Sequence, residues 1–335
     1  MNKKFLKWTM WVIIFALIVL GVSLLSLCIG TIRVSLGQVL SFLFKEGDGT
    51  AIYSILFQIR LPRIILGFAV GSALSIAGVI LQGMFRNPLV EPYTLGISGG
   101  AALGVCLNIT FKLNRFLTDM SMPLAGFLGG LAVIMLVYFL NARKSVLKMQ
   151  GLLLTGVMIS YICASLVMLI MAIMRIEDLH GIIFWTMGSL EQPNWFFIKT
   201  MIVISFLGLI ITYIFCKDLN AFALGEEQAL HLGVNVEVTK RILFLAASLL
   251  TGASVACAGI IGFVGLVIPH CMRIVVGSDH RILIISSFLA GGAFLIASDT
   301  IARTVILPLE LPVGVITGII GGGIFIYALC AKKSR

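Results

Sequence analysis

The chain has 335 residues, 60% of them hydrophobic and only 11% charged, with a formal net charge of +10 and a mean hydropathy of +1.12. That balance lies far outside the range of soluble globular proteins, and its charge-free runs of about 20 residues are long enough to cross a bilayer. A polytopic, all-α membrane protein is the expectation.

The opening segment has a basic start like a secretory signal, but its apolar run, Trp8 to Leu27, is too long and no small-x-small cleavage site follows. It is expected to be a retained first span. Further apolar segments fall at about 64–84, 92–111, 122–140, 150–174, 197–216, 242–261, 263–276, 282–300 and 312–330. The total is about ten, all in one transmembrane domain covering residues 1–335. The eighth, around "FVGLVIPHCMRIVV", is short and is expected to be interrupted at Pro269. Ile182 to Trp195, with its tryptophans and too few apolar residues to cross, reads as interfacial.

Glycines recur every four residues at Gly96, Gly100 and Gly104, at Gly67 and Gly71, and at Gly318 and Gly322. Each set lies on one helix face, where backbones can approach closely, and is expected to pack helices. The seven cysteines are scattered singly with no CxxC pair, and no Met, Cys or His ladder follows a helix face, so no metal site is expected.

With the N-terminus inside and ten spans, 15 of the 24 Lys and Arg residues fall on the inner side and nine on the outer. This excess predicts cytoplasmic termini. No ionisable residue lies mid-span, Asp299 sitting at an outer end, which argues against a proton- or ion-coupled secondary transporter. There is no GxxxxGK[ST] loop, so nucleotide is not bound in the P-loop manner; "ISGGA" at Ile97 to Ala101 sits in an apolar span and is a chance match to an ATPase signature. No paired carboxylates, HExxH or serine-lysine set points to an intramembrane enzyme. Energy must be supplied from outside the chain.

One phrase breaks the apolar pattern: "NAFALGEEQALHLGVNVEVTK", Asn220 to Lys240. Gly225 and Gly233 frame a short helix whose first turn carries Glu226 and Glu227, where the helix dipole favours negative charge. Leu224, Ala229, Leu230 and Leu232 provide apolar contact. It is either a solvated connector or a docking element for a partner.

"RLPRIILGFAVGSALSIAGVILQGMFRNPLVEPYTLGISGGAALG", followed in order by "ALGEEQALHLGV", "AGIIGFVGLVIPHCMRIVVGSDHR", "ASDTIAR" and "ELPVGVITGIIGGGIF", closely resembles the permeases of the FecCD type. These are the transmembrane subunits of ATP-driven (ABC) importers for ferric siderophores, haem and cobalamin. The resemblance covers nearly the whole chain. It implies a type II importer permease fold, a second permease copy or paralogue, two cytoplasmic ATPases that carry ATP and Mg²⁺, an external substrate-binding protein, a bacterial cell membrane location, and no cofactor bound by this chain. A ferric siderophore or related iron chelate is the expected cargo, with haem or cobalamin as the alternative.

Residue by residue, the resemblance makes about 219–236 the segment that couples to the ATPase, with Leu224, Gly225, Glu226, Glu227, Ala229, Leu230 and Gly233 as its contacts. It makes Arg60, Arg63 and Arg303 the outer cations that meet acidic residues on the binding protein; the competing reading has them snorkel to headgroups or bind neighbouring loops. Gln82, Asn87 and Pro88, with Met149 and Gln150 of "KMQG" (Lys148 to Gly151), are assigned to the translocation path and its inner gate, against a plain helix-ending turn for Asn87 and Pro88. Met149 and Gln150 replace the family's small hydroxyl residues. His270 of "PHCMR" is read as structural, since no second metal ligand is spaced with it. Where many members have a proline before the last phenylalanine, this chain has Gly323, which bears on the tenth helix and the dimer contact nearby.

Overall fold

A computed structural model describes residues 3–39, 51–113, 120–142, 149–191 and 194–332. In chain order the helices are α1 (Lys3–Cys28), α2 (Ala51–Phe85), α3 (Ile97–Thr110), α4 (Ser121–Ala142), α5 (Met149–Ile173), α6 (Ile176–Thr186), α7 (Trp195–Ile214), α8 (Cys216–Phe222), α9 (Glu226–His231), α10 (Val236–Ala258), α11 (Val264–Val276), α12 (His280–Ala302) and α13 (Val313–Lys332). No strand occurs among the described residues. Seven helices, α1, α2, α4, α5, α7, α10 and α12, are long and apolar enough to cross a membrane; α3, α11 and α13 contribute shorter apolar stretches. Each of the ten apolar segments of the sequence is therefore helical.

α2 is the centre of the bundle. Within its most apolar window 89% of residues are buried, against 17% for α1 and 22% for α5, which stand at the periphery. It packs on α12, α10, α7 and α11, while α3, α4 and α5 form a second group joined to it through α10. In lipid, burying a leucine gains little over leaving it among acyl chains, so close backbone approach has to hold such a bundle together. The glycine ladders supply it. A Cβ at Gly71 would lie 2.3 Å from the Gly291 carbonyl oxygen, and one at Gly291 would lie 2.5 Å from that of Gly71. Gly100 and Gly129 oppose each other in the same way. Gly318 is different, since among the described residues nothing comes within 4 Å of a Cβ built there. Gly322, one turn on, would place a Cβ 3.7 Å from the Phe263 ring, and α13 continues as helix through Gly323.

Two expectations need correction. The third segment is not one helix from residue 92: Pro92–Leu95 forms a 3-10 turn, Gly96 takes φ of +90°, and α3 starts at Ile97. Pro269 does not interrupt the eighth helix, because α11 runs through it; the break comes earlier, where Gly259 and Phe263 take φ of +71° and +69°. Of the segment expected to be interfacial, Ile182–Thr186 closes α6, and the residues just after it bond to neighbouring helices, Ser189 N donating to Ala258 O at 2.9 Å and Gly314 N to Met187 O at 3.2 Å.

The helices also outrun their apolar cores, because a helix can extend its last turns past the hydrocarbon. α2 begins at Ala51 rather than 64, and a π turn, Ile55–Arg60, precedes Pro62. Arg60, Arg63, Lys240 and Asp299 consequently lie inside helices. The bundle has two chemically distinct ends. At one, Lys4 of α1 pairs with Asp279 at 3.2 Å and Asn220 donates to the same carboxylate at 3.1 Å, beside α8 and α9. At the other, Ser26 of α1 meets Arg303. The N-terminal end of α1 thus shares a face with α9.

Candidate functional site

α9 is a six-residue helix with a defined stop at each end. Gly225, at φ +124°, turns the chain into it; a side chain there would be strained, and its Cβ would sit 2.3 Å from Gln228 Oε1. At the other end Gly233 takes φ +84°, its N–H donates to Leu230 O at 2.9 Å, and Val234 N donates to Ala229 O at 3.0 Å. This pair of bonds is a Schellman cap, which satisfies carbonyls that a short helix would otherwise leave bare. Glu226 and Glu227 occupy the first turn, favourably placed against the dipole. Ala229 is fully buried and roots the helix in the core, whereas Leu224, Leu230 and Leu232 are each about 60% exposed. Three exposed leucines on a rigid, capped element form a surface suited to a partner groove.

Beside α9, α2 ends at Arg86, which adopts the left-handed conformation (φ 51°) and whose Nη1 approaches Gly225. Asn87 and Pro88 are exposed in the following turn, where Asn87 Oδ1 accepts from Leu89 N at 2.9 Å. That is the local geometry of a helix-ending turn. Gln82 is buried, and its Nε2 donates to Gly265 O at 3.2 Å and Leu266 O at 3.1 Å while its Oε1 accepts from Arg273. The reason lies in α11. Pro269 has no N–H, so the carbonyl four residues back, Gly265, loses its helical donor; Gln82 provides a replacement. This explains why α11 passes through its proline intact. Met149 is buried and Gln150 exposed at the start of α5; Lys148 lies outside the described residues.

At the opposite end the three arginines are seated inward. Arg60 donates to the carbonyls of Leu27, in the last turn of α1, and of Ile32, just beyond it. Arg63 lies 2.7 Å from Glu310 Oε2 and 3.3 Å from Asp299 Oδ1. Arg303 donates to Ser26 Oγ at 2.8 Å, and its Nε lies 2.9 Å from Asp299 Oδ2 in an ion-pair contact whose angle is not that of a hydrogen bond. All three are buried, none more than 7% exposed, so the cluster ties α1, α2 and α12 together. As seated, the side chains bind neighbouring loops and helices.

Several residues of these ends were not singled out by sequence reasoning. Asp299 carries both Arg63 and Arg303; "ASDTIAR" places it four residues before Arg303, a helical pairing distance that could have revealed it. Glu91 accepts from Phe263 N at 2.6 Å, and the Tyr93 hydroxyl accepts from Ile261 N at 3.1 Å, satisfying donors at and just before the start of α11. Lys240, buried, lies 2.6 Å from Glu226 Oε2. His280 and Asn220 join α12 to α8 through His280 N and Asn220 Oδ1 at 2.9 Å. Nothing in local spacing marks these last contacts. Among the described residues there is no cluster of three or more His, Cys, Asp or Glu that could hold a metal.

The FecCD transport family matches residues 16–331, almost the full chain. The chain belongs to the FecCD transport family. The FecCD permease is 39% identical over 298 residues to the hemin transport system permease protein HmuU of Yersinia pestis, covering 88% of each chain. It is also 39% identical over 322 residues to the Fe(3+) dicitrate transport system permease protein FecD of Escherichia coli K12, covering 96% of this chain and 98% of that one. Vitamin B12 import system permease protein BtuC of Salmonella typhi is 35% identical over 327 residues, 97% of this chain and 96% of the relative. A solved metal-chelate type ABC transporter in an inward-facing conformation superposes with a TM-score of 0.83 at 32% identity, covering 96% of this chain and 98% of its own. The FecCD chain is thus an ABC importer permease, a multi-span membrane component of a transport system.

Proposed function

We propose that this FecCD permease passes a ferric siderophore or related iron chelate inward across the bacterial cell membrane, driven by two separate ATPase subunits that carry the ATP and Mg²⁺, and fed by an external binding protein. The observation that carries this reading is α9: a capped, rigid helix presenting Leu224, Leu230 and Leu232 to solvent, in a chain with no P-loop of its own. α9 seats in a groove of the ATPase, with Gly225, Glu226, Glu227, Ala229 and Gly233 setting its shape, and its face of the bundle is cytoplasmic, as are both termini. Asn87 and Pro88, next to α9 through Arg86, form with Met149 and Gln150 the inner narrowing of the path. Gln82 contributes by holding α11 in place. The binding protein docks on the end that Arg60, Arg63 and Arg303 hold together. A second copy of the permease, or a paralogue, covers the exposed side of α13 that carries Ile319, Ile326 and Tyr327.

Haem or cobalamin is the second reading of the cargo, favoured by the equal 39% identity to the hemin and Fe(3+) dicitrate permeases. Calorimetry on the cognate binding protein separates the readings: tight binding of a ferric siderophore with no binding of haem or cobalamin supports the first, and the reverse result replaces it.

A further inference from the structure

The contact between α9 and α10 has a feature that packing alone does not require. Lys240 is 2% exposed and is among the largest fully buried side chains of the described residues, yet it is an ammonium, and its Nζ lies 2.6 Å from Glu226 Oε2. Burying a charge is costly, and here the Lys240 charge is offset by a carboxylate that is itself 42% exposed. What an ion pair adds is position: an apolar side chain tolerates sliding, whereas an ammonium surrounded by protein holds one carboxylate at one place. Glu226 is the first residue of α9 and Lys240 lies in the second turn of α10. Between them the chain is already constrained. Ala229 is fully buried, Gly233 makes the Schellman turn, and Asn235 Oδ1 caps α10 by accepting from Val238 N at 3.2 Å. The ion pair closes this loop, so that α9 and the start of α10 are joined both through the chain and across it. α10 in turn packs on α2, α4 and α7, linking the two groups of the bundle.

We propose that Lys240 is a positioning residue that locks α9 to α10 through Glu226, so that a displacement of α9 is delivered to the bundle as movement of α10. This rests on the reading of α9 as the segment engaged by the ATPase. The test uses the complete transporter in proteoliposomes, with its ATPase and binding protein and a radiolabelled ferric siderophore, measuring uptake and ATP hydrolysis together. Lys240→Met fills the buried space without the charge; ATP consumed per substrate transported should rise about tenfold, equivalent to about 1.4 kcal/mol. Lys240→Arg, which keeps a cation facing Glu226, should hold the ratio within about twofold of wild type on that scale. A Lys240→Met transporter with an unchanged ratio overturns the proposal, as does a parallel fall in uptake and hydrolysis, which marks lost ATPase contact. If Lys240→Met does not accumulate in the membrane, Lys240→Gln decides: a raised ratio supports the lock, and an unchanged ratio overturns it. Failure of the underlying reading would show separately, as absence of ATP-dependent uptake in the wild type.

Discussion

Gln82→Leu tests the account of how α11 tolerates its internal proline. The substitution removes the donor to Gly265 O and Leu266 O and the acceptor for Arg273, all between α2 and α11. A buried polar group left without a partner costs about 1–3 kcal/mol, so Gln82→Leu should destabilise the permease by roughly 2–5 kcal/mol. The decisive step is to repeat it in a Pro269→Ala background. Alanine restores an N–H at position 269, and that N–H can close the ordinary helical bond to Gly265 O. One orphaned carbonyl is then resatisfied without Gln82, whereas the loss at Arg273 is common to both backgrounds and cancels. The penalty for Gln82→Leu should therefore shrink by about 1 kcal/mol, the net value of one hydrogen bond. Unfolding of the four variants in mixed detergent micelles gives the cycle. Additivity within about 0.3–0.5 kcal/mol, the limit for uncoupled sites, would refute the link between Gln82 and Pro269.

Gly225→Pro should abolish transport while the permease remains inserted, because proline cannot adopt the φ of +124° that starts α9; uptake at the wild-type rate in proteoliposomes would contradict the role of that turn. Charge reversal at Arg60 and Arg303 breaks the contacts that hold α1 to α2 and α12, so association of the binding protein with surface-immobilised permease should weaken at low and high salt alike; unchanged affinity would remove this end from docking. Asp279 should make stability pH-dependent. Burial raises its pKa, but the Arg281 N–H, the Asn220 amide and the Lys4 ammonium outweigh that and hold it below the ordinary carboxylate value. Its contribution is present above the unfolded-state pKa of about 4 and is lost as pH falls through the lower folded value. Asp279→Asn should therefore reduce stability at pH ~7 and flatten the acid limb of the melting profile.

The helical bundle was legible because charge-free runs in a chain this apolar have one solution, and the ladders at Gly71 and Gly100 marked true crossings. Helix ends were not, since hydropathy reports the hydrocarbon-facing stretch and α2 begins well before it, at Ala51. Pro269 shows a second limit: its effect depends on Gln82, 183 residues from the carbonyl that it rescues. The arginines show a third. Their grouping at one end could be read from span order, but Arg63 and Asp299 are 236 residues apart, and only folding reveals that the cations hold helices together. Gly318 looked like the other ladders and has no such contact among the described residues, because spacing reports a smooth face without saying what covers it. The α9 segment was the most legible site, since its glycines, acidic first turn and leucines are local, and local patterns survive without tertiary knowledge.

The central claim is that this permease is driven through α9 by ATPases it does not contain. Its most direct test is uptake of a radiolabelled ferric siderophore into proteoliposomes holding the permease, its ATPase and its binding protein, with wild-type chain and with Ala229→Glu, which places a carboxylate where α9 is rooted in the core. ATP-dependent uptake by the wild type and none by the variant, at equal amounts of inserted permease, is the expected result. Uptake that persists without the ATPase, or that is undiminished in Ala229→Glu, would contradict it.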